Sequence, residues 1–176
     1  MWRAIVLVAL LGSLGACHAR AVRVQAWVRD TTHVARLFAE HQDSTDTLLR
    51  SPRVIHDPAV VVFWLQAADT LGEADRAGAF DDLRYYTAQV ESILAANSIS
   101  LVATRANSLF VVLPNHQRRL VLLSGLDYPF GYVLVDPGGP ERILTGVYSD
   151  DDLLDELRAY FDLPDDSVSA VPRATT

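Results

Sequence analysis

Of the side chains that act as strong nucleophiles in enzymes, cysteine occurs only once in this 176-residue chain and lysine does not occur. Cys17 is the sole cysteine, so neither an intramolecular disulfide nor exchange between two thiols is possible. All 15 basic residues are arginines, and without lysine the chain can form no Schiff base. Composition alone therefore excludes dithiol redox chemistry and lysine-based covalent catalysis.

Histidines are the next candidates for catalysis. His56 precedes Asp57, a pairing that could orient an imidazole, although adjacent residues in extended chain point to opposite sides. His116 lies in a predicted hairpin turn. A hydrolase that uses His56 or His116 with nearby acids is one hypothesis, and polar turn residues in solvent are the simpler interpretation.

We predict no cofactor and no metal site. The chain contains no Gly-rich phosphate loop, no G-x-S-x-G elbow and no H-E-x-x-H motif. His33 and His41 lie eight positions apart without a third ligand nearby. The net charge of −7 also argues against nucleic acid as a partner, because phosphate binding needs clustered positive charge.

The chain is long enough for one domain with appendages, and its 50% apolar residues can build a core. At the amino terminus, a positive start at Arg3 precedes an apolar run over residues 4–14. A run of this length is too short to span about 30 Å of hydrocarbon, and it is typical of a signal peptide.

The motif Leu14-Gly15-Ala16-Cys17 resembles the lipobox of bacterial lipoproteins. The resemblance implies that Cys17 carries diacylglycerol and fatty acyl chains such as palmitate, and that residues 1–16 are a signal peptide removed before it. It implies a lipid-anchored protein of the cell envelope, and His18 in place of Asp favours the outer membrane, facing the periplasm. The alternative is an ordinary secretory signal with a chance cysteine.

Residues 17–58 are predicted to hold the anchor, a helix and a connector. Apolar residues at helical spacing favour a helix over 20–41, and the polar, proline-containing stretch 42–58 is typical of a connector. Residues 18–54 hold six Arg against four acids, whereas 55–176 hold eight Arg against eighteen acids. The helix could therefore lie near anionic headgroups, but we favour packing of its apolar face on the domain.

Residues 59–161 are predicted to form an α/β domain with a buried mixed sheet and helices packed against it. The apolar run 59–65 predicts a central strand buried on both faces. A loop over 66–79 and a helix from Phe80 to an end at Asn97 follow. Further predicted strands cover residues 99–104, 109–113 and 119–123, the last two forming a hairpin.

The closing part of the domain is predicted as strand, turn, strand and helix. Strands over 132–135 and 143–147 flank the turn 136–139, where Pro presets φ and Gly138 allows a positive φ. Ser149 is expected to cap a helix that runs to Phe161. Residues 162–176 lack periodicity and are predicted to be a flexible tail.

Several of these features resemble the thioredoxin-like fold, especially its thiol–disulfide proteins of the envelope. The first strand ends in Phe63-Trp64, Pro129 precedes the last hairpin where the family keeps a cis-proline, and residues 133–139 end in the family's D-P-x-G pattern. The resemblance covers residues 59–161. It implies a binding groove bordered by four residues: Trp64, Gln66, Tyr128 and Pro129.

Two departures from the family pattern limit what the resemblance implies. The family's cysteines would fall at Ala68 and Leu71, so dithiol redox activity is excluded. Strands are predicted over 99–123, where the family has a crossover helix. An unrelated α/β domain with a similar hairpin–helix ending is the alternative.

The leading prediction is a lipid-anchored, redox-inactive envelope protein with a binding or structural role. Its partners would be the membrane, through the lipid, and an envelope protein or small ligand. An envelope hydrolase, or an accessory subunit of a transport or assembly complex docking through the 20–41 helix, are the other hypotheses.

Overall fold

The structure is a computed structural model that describes residues 34–38 and 47–164. The predicted signal peptide, Cys17, most of the 20–41 helix and the tail beyond 164 lie outside these residues. In chain order the elements are α1 (Thr47–Arg50), β1 (Arg53–Ile55), β2 (Ala59–Trp64), a 3₁₀ helix (Gln66–Thr70), α2 (Glu73–Ala96), β3 (Ser100–Thr104), β4 (Ser108–Val112), β5 (Arg118–Leu122), β6 (Phe130–Val135), β7 (Arg142–Thr145) and α3 (Asp150–Phe161).

A four-stranded mixed sheet in the order β3-β2-β6-β7 forms the centre of the domain. Strand β3 runs parallel to β2, whereas β6 is antiparallel to both of its neighbours. Every residue of β2 is buried, which confirms the prediction of a central strand. Because side chains alternate along a strand, Val60 and Val62 belong to one hydrophobic core and Val61 and Phe63 to another.

The second core lies between this sheet and a three-stranded sheet in the order β1-β4-β5. The sequence predicted one sheet, and the separate sheet is a difference with a clear physical reason. Burial alternates along β4, where Leu109 and Val111 are buried and Phe110 is not, so that strand has only one face to cover. The hairpin therefore packs on the central sheet.

Residues 47–55 form α1 and β1, and the prediction of a connector there is wrong. Strand β1 pairs in parallel with β4 through Val54 and Phe110. Its three residues are too few to show a periodicity, which is why the sequence did not reveal it.

Helices α2 and α3 cover the other face of the central sheet and pack with Val60, Val62 and Trp64. Val34 and Leu37, from a helical turn at 34–37, are buried in this same core. For this described part of the 20–41 helix, the apolar face packs on the domain. Within residues 34–38 and 47–164, no helix combines the length and apolar character needed to cross a membrane.

Helix α2 begins earlier than predicted, at Glu73, and a 3₁₀ helix fills much of the predicted loop before it. The first turns of α2 lack apolar periodicity because they are largely exposed to solvent. Glu73 and Asp75 favour the helix there through its dipole instead. The predicted end at Asn97 is confirmed.

The closing part of the domain follows the sequence prediction closely. In the turn, the Gly139 amide donates to the Asp136 carbonyl at 2.9 Å, but Gly138 does not adopt a positive φ. Strand β7 stops at Thr145 because Gly146 has φ +92°. The Ser149 hydroxyl accepts a hydrogen bond from the Asp152 amide at 3.2 Å and caps α3 as predicted.

Candidate binding site

The candidate binding site lies at the carboxyl end of β2, where the strand ends at Trp64. The Leu65 amide donates a hydrogen bond to the Pro129 carbonyl at 2.8 Å, which fixes the segment before β6 beside the exit of β2. Two of the predicted groove residues, Trp64 and Pro129, therefore come together. The peptide bond before Pro129 is trans, which departs from the family pattern.

A row of aromatic rings crosses this end of the domain. Successive ring centroids lie 5.3 Å apart from Phe38 to Phe80, 5.0 Å from Phe80 to Trp64, 5.2 Å from Trp64 to Phe130 and 5.9 Å from Phe130 to Tyr128. Trp64 is buried, whereas Tyr128 is 54% exposed. The row thus connects the core to a solvent-accessible aromatic side chain at the site, where an apolar contact with a partner is possible.

Asp69 of the 3₁₀ helix connects the aromatic row to a polar network. Its Oδ1 accepts a hydrogen bond from the indole Nε1 of Trp64 at 3.2 Å, and its Oδ2 lies 2.5 Å from Nη2 of Arg105. Arg76 also donates to the Asp69 backbone carbonyl at 3.4 Å. The carboxylate therefore fixes the indole on one side and a guanidinium, whose side chain is only 9% exposed, on the other.

Arg105 lines a pocket of about 220 Å³ between the ends of β2 and β3. The other lining residues are Arg50, Gln66, Ala106 and Asn107. Two arginines and two residues with side-chain amides line this volume, and no acidic residue is among them. Guanidinium forks bind carboxylate and phosphate oxygens with directed, charge-assisted hydrogen bonds, so the pocket suits an anionic group.

The four predicted groove residues therefore fall into two adjoining parts. Trp64, Tyr128 and Pro129 belong to the aromatic side, and Gln66 lines the polar pocket. Sequence reasoning missed Arg50 and Arg105. Arg105 directly follows a predicted strand, and the carboxyl ends of parallel neighbours meet at one edge of a sheet, so that signal was present.

The two positions at which the family carries its cysteines are apolar here. Ala68 is fully buried, and Leu71 packs against the helix-side core. Ala68 lies in the 3₁₀ helix, and Leu71 follows its last residue.

His56 lines a different pocket, of about 300 Å³, near the opposite end of β2. Ser51, Asp57 and Ser100 line the same volume. Among the described residues the His56 imidazole forms no hydrogen bond or ion pair that would orient it as a base. His116 lies in the exposed turn between β4 and β5, with φ 65°, and does not line this pocket.

Within the described ranges, no group of three or more metal-ligating side chains comes together. In comparisons with known proteins, no family model, no curated protein and no solved structure matches the chain.

Proposed function

We propose that this chain is a lipid-anchored protein of the bacterial cell envelope whose thioredoxin-like domain binds a partner without redox chemistry. The partner would present an anionic group, a carboxylate or a phosphate, to the site at the carboxyl end of β2. The observation that carries the binding role is the pocket formed by Arg50, Gln66, Arg105 and Asn107.

The order of elements supports a thioredoxin-like domain. Strand β2 is followed by α2, a parallel return strand β3, the proline-preceded hairpin β6–β7 and the terminal helix α3, as the resemblance implies. The departure lies between β3 and β6, where the hairpin β4–β5 replaces the crossover helix and pairs with β1. This second sheet covers the face of the central sheet opposite the two helices.

The arrangement of charges supports an anionic ligand. Asp69 neutralises part of the positive charge of Arg105 and also holds that side chain in place, so less conformational entropy is lost when a ligand binds. Arg50 is exposed at the end of α1 and lines the same pocket. Gln66 and Asn107 contribute amides that can both donate and accept hydrogen bonds.

The binding role can be tested by nuclear magnetic resonance titration of the full chain in detergent micelles, with succinate and inorganic phosphate as probes. We expect saturable shifts of the side-chain amide signals of Gln66 and Asn107. Arg50→Gln should weaken binding about tenfold, because one hydrogen bond to a charged group contributes about 1.5 kcal/mol. The matched control is Arg84→Gln, which changes an exposed arginine on α2 that forms an ion pair with Asp81.

Absence of saturation with both probes, or equal weakening by Arg50→Gln and Arg84→Gln, would contradict the binding proposal. Stronger binding of one probe would identify the anion class.

The lipid anchor rests on the sequence Leu14-Gly15-Ala16-Cys17 and on the fact that Cys17 is the only thiol. Metabolic labelling with a radioactive fatty acid should label the wild-type protein and leave the Cys17→Ala variant unlabelled. Equal labelling of the two proteins would refute the anchor.

An envelope hydrolase is the second candidate, favoured by the presence of His56, Ser51 and Ser100 around one pocket. Ester hydrolysis that disappears in His56→Ala but persists in His116→Ala would establish it.

A further inference from the structure

The outward face of the β1-β4-β5 sheet is unusually apolar for an antiparallel hairpin exposed to solvent. Val54, Phe110 and Leu120 are paired across the three strands in one row, since Val54 is opposite Phe110 and Phe110 is opposite Leu120. Leu122, on the same face of β5, is 59% exposed, and Leu120 is 51% exposed. The solvent-facing positions of such a sheet normally carry polar residues, so these apolar side chains indicate that another surface covers this face.

Charge is also segregated around this face. The chain carries 22 acidic residues, yet none lies between Glu91 and Asp127, a stretch that includes all of β4 and β5. Arg118 is exposed on the same side of β5 as Leu120, and the neighbouring turn carries His116. On its β5 side the apolar row is therefore bordered by positive and neutral groups, whereas Asp57 lies beside Val54 at the β1 edge.

The size of the face argues against a second copy of the chain as its cover. Three strands about 4.8 Å apart, with at most five residues of about 3.3 Å each, present roughly 240 Å² per chain. Two such faces bury far less than the roughly 1,200 Å² of a stable interface. A membrane surface fits this small area better. The proposed lipid anchor would already hold the domain beside the membrane, so the face would not need to bury enough area to bind on its own.

We propose that the outward face of the β1-β4-β5 sheet docks onto an anionic lipid bilayer, with Leu120 and Leu122 entering the interfacial region and Arg118 contacting lipid phosphate. The proposal rests on the proposed anchor at Cys17, which would keep the domain near the membrane. Apolar insertion combined with a basic residue is the general pattern by which peripheral proteins bind anionic membranes. Docking would leave the helix layer, and Tyr85 on it, facing away from the membrane.

The test uses the full chain, purified from membranes and reconstituted into vesicles of phosphatidylethanolamine with phosphatidylglycerol. An environment-sensitive fluorophore is attached at Leu122→Cys, with Tyr85→Cys as the matched control because Tyr85 is 57% exposed on α2. We expect a blue shift at position 122 and none at position 85. The shift should shrink when phosphatidylcholine replaces the anionic lipid and when Arg118→Glu is added.

Equal emission at the two positions in vesicle-bound protein would overturn the proposal. A shift at position 122 that appears without vesicles and depends on protein concentration would also overturn it, because it would indicate that a second copy of the chain covers this face. The anchor is read separately, from whether a radioactive fatty acid labels the wild-type protein and not Cys17→Ala, so anchor and docking can fail independently. Thermal unfolding of each variant, with an unchanged Tm, shows that the fold is retained.

Discussion

Replacement of Asp69 by alanine tests whether one carboxylate supports the candidate site. The substitution removes the acceptor for Trp64 Nε1, at 3.2 Å, and the ion pair with Arg105, at 2.5 Å. It leaves the indole N–H of a buried tryptophan without its acceptor and deprives a largely buried guanidinium of this carboxylate. The substitution therefore removes interactions on both sides of the 3₁₀ helix.

The expected magnitude follows from the exposure of the groups. A hydrogen bond to a charged group contributes about 1.5–3 kcal/mol, and the lower value applies because the Asp69 side chain is 40% exposed. The bond from the neutral indole N–H to the same carboxylate is long, at 3.2 Å, and adds about 1 kcal/mol, so Asp69→Ala should lower the free energy of unfolding by about 2.5 kcal/mol. For a domain of this size the Tm should fall by about 10 °C.

Urea and thermal unfolding, followed by circular dichroism, measure the effect. Asp69→Asn is the matched control, because it retains an oxygen for Trp64 Nε1 and loses only the charge opposite Arg105. It should destabilise by about 1.5 kcal/mol. A Tm for Asp69→Ala within about 2 °C of the wild type would refute the argument that this network stabilises the loop.

Two further predictions concern the central sheet. Gly131→Ala should prevent stable folding, because Gly131 has φ +145° and a Cβ there would lie 2.1 Å from the Leu144 carbonyl oxygen. Gly78→Ala, with open space around it in α2, should raise stability by about 0.5–1 kcal/mol, and equal Tm values for the two variants would contradict this reasoning. Burial raises the pKa of Tyr132 to about 12 despite a hydrogen bond with Thr87, so the folded state retains a proton that the unfolded chain releases near pH 10. The contribution of this proton to the free energy of unfolding is fully present below pH 10 and is lost as pH rises toward 12, with a loss of about 1.4 kcal/mol between pH 9 and 11. In urea unfolding, the free energy of unfolding of the wild type should therefore decline more steeply over this range than that of Tyr132→Phe.

Local signals in the sequence predicted much of the fold. The apolar run 59–65 predicted a strand buried on both faces, and Ser149 predicted the start of a helix. Both predictions were possible because the residues that determine these elements are neighbours in the chain. The early turns of α2 were missed since they bury little and show no periodicity. Strand β1 was missed since three residues carry no pattern of their own.

The candidate site was predicted on its aromatic side, and of its polar side only Gln66 was predicted. Trp64 and Pro129 could be placed together because the resemblance relates the end of the first strand to the last hairpin. The pairing of Asp69 with Arg105 spans 36 positions and depends on which strand returns beside β2. No property of Arg50 in the sequence distinguishes it from other exposed arginines, so only the folded chain assigns it to the pocket.

The pairing of β1 with β4 has a consequence for the order in which the chain folds. Strand β1 has no partner in its sheet until β4 is in place, because Val54 pairs with Phe110, which lies 56 positions later in the chain. The β2–α2–β3 unit can therefore assemble before β4, the middle strand of the outer sheet, is in place. Pairing of β1 with β4 then closes a long loop, which makes that step slow. Until the hairpin has formed, the residues that finally lie between the two sheets remain exposed to water and to chaperones.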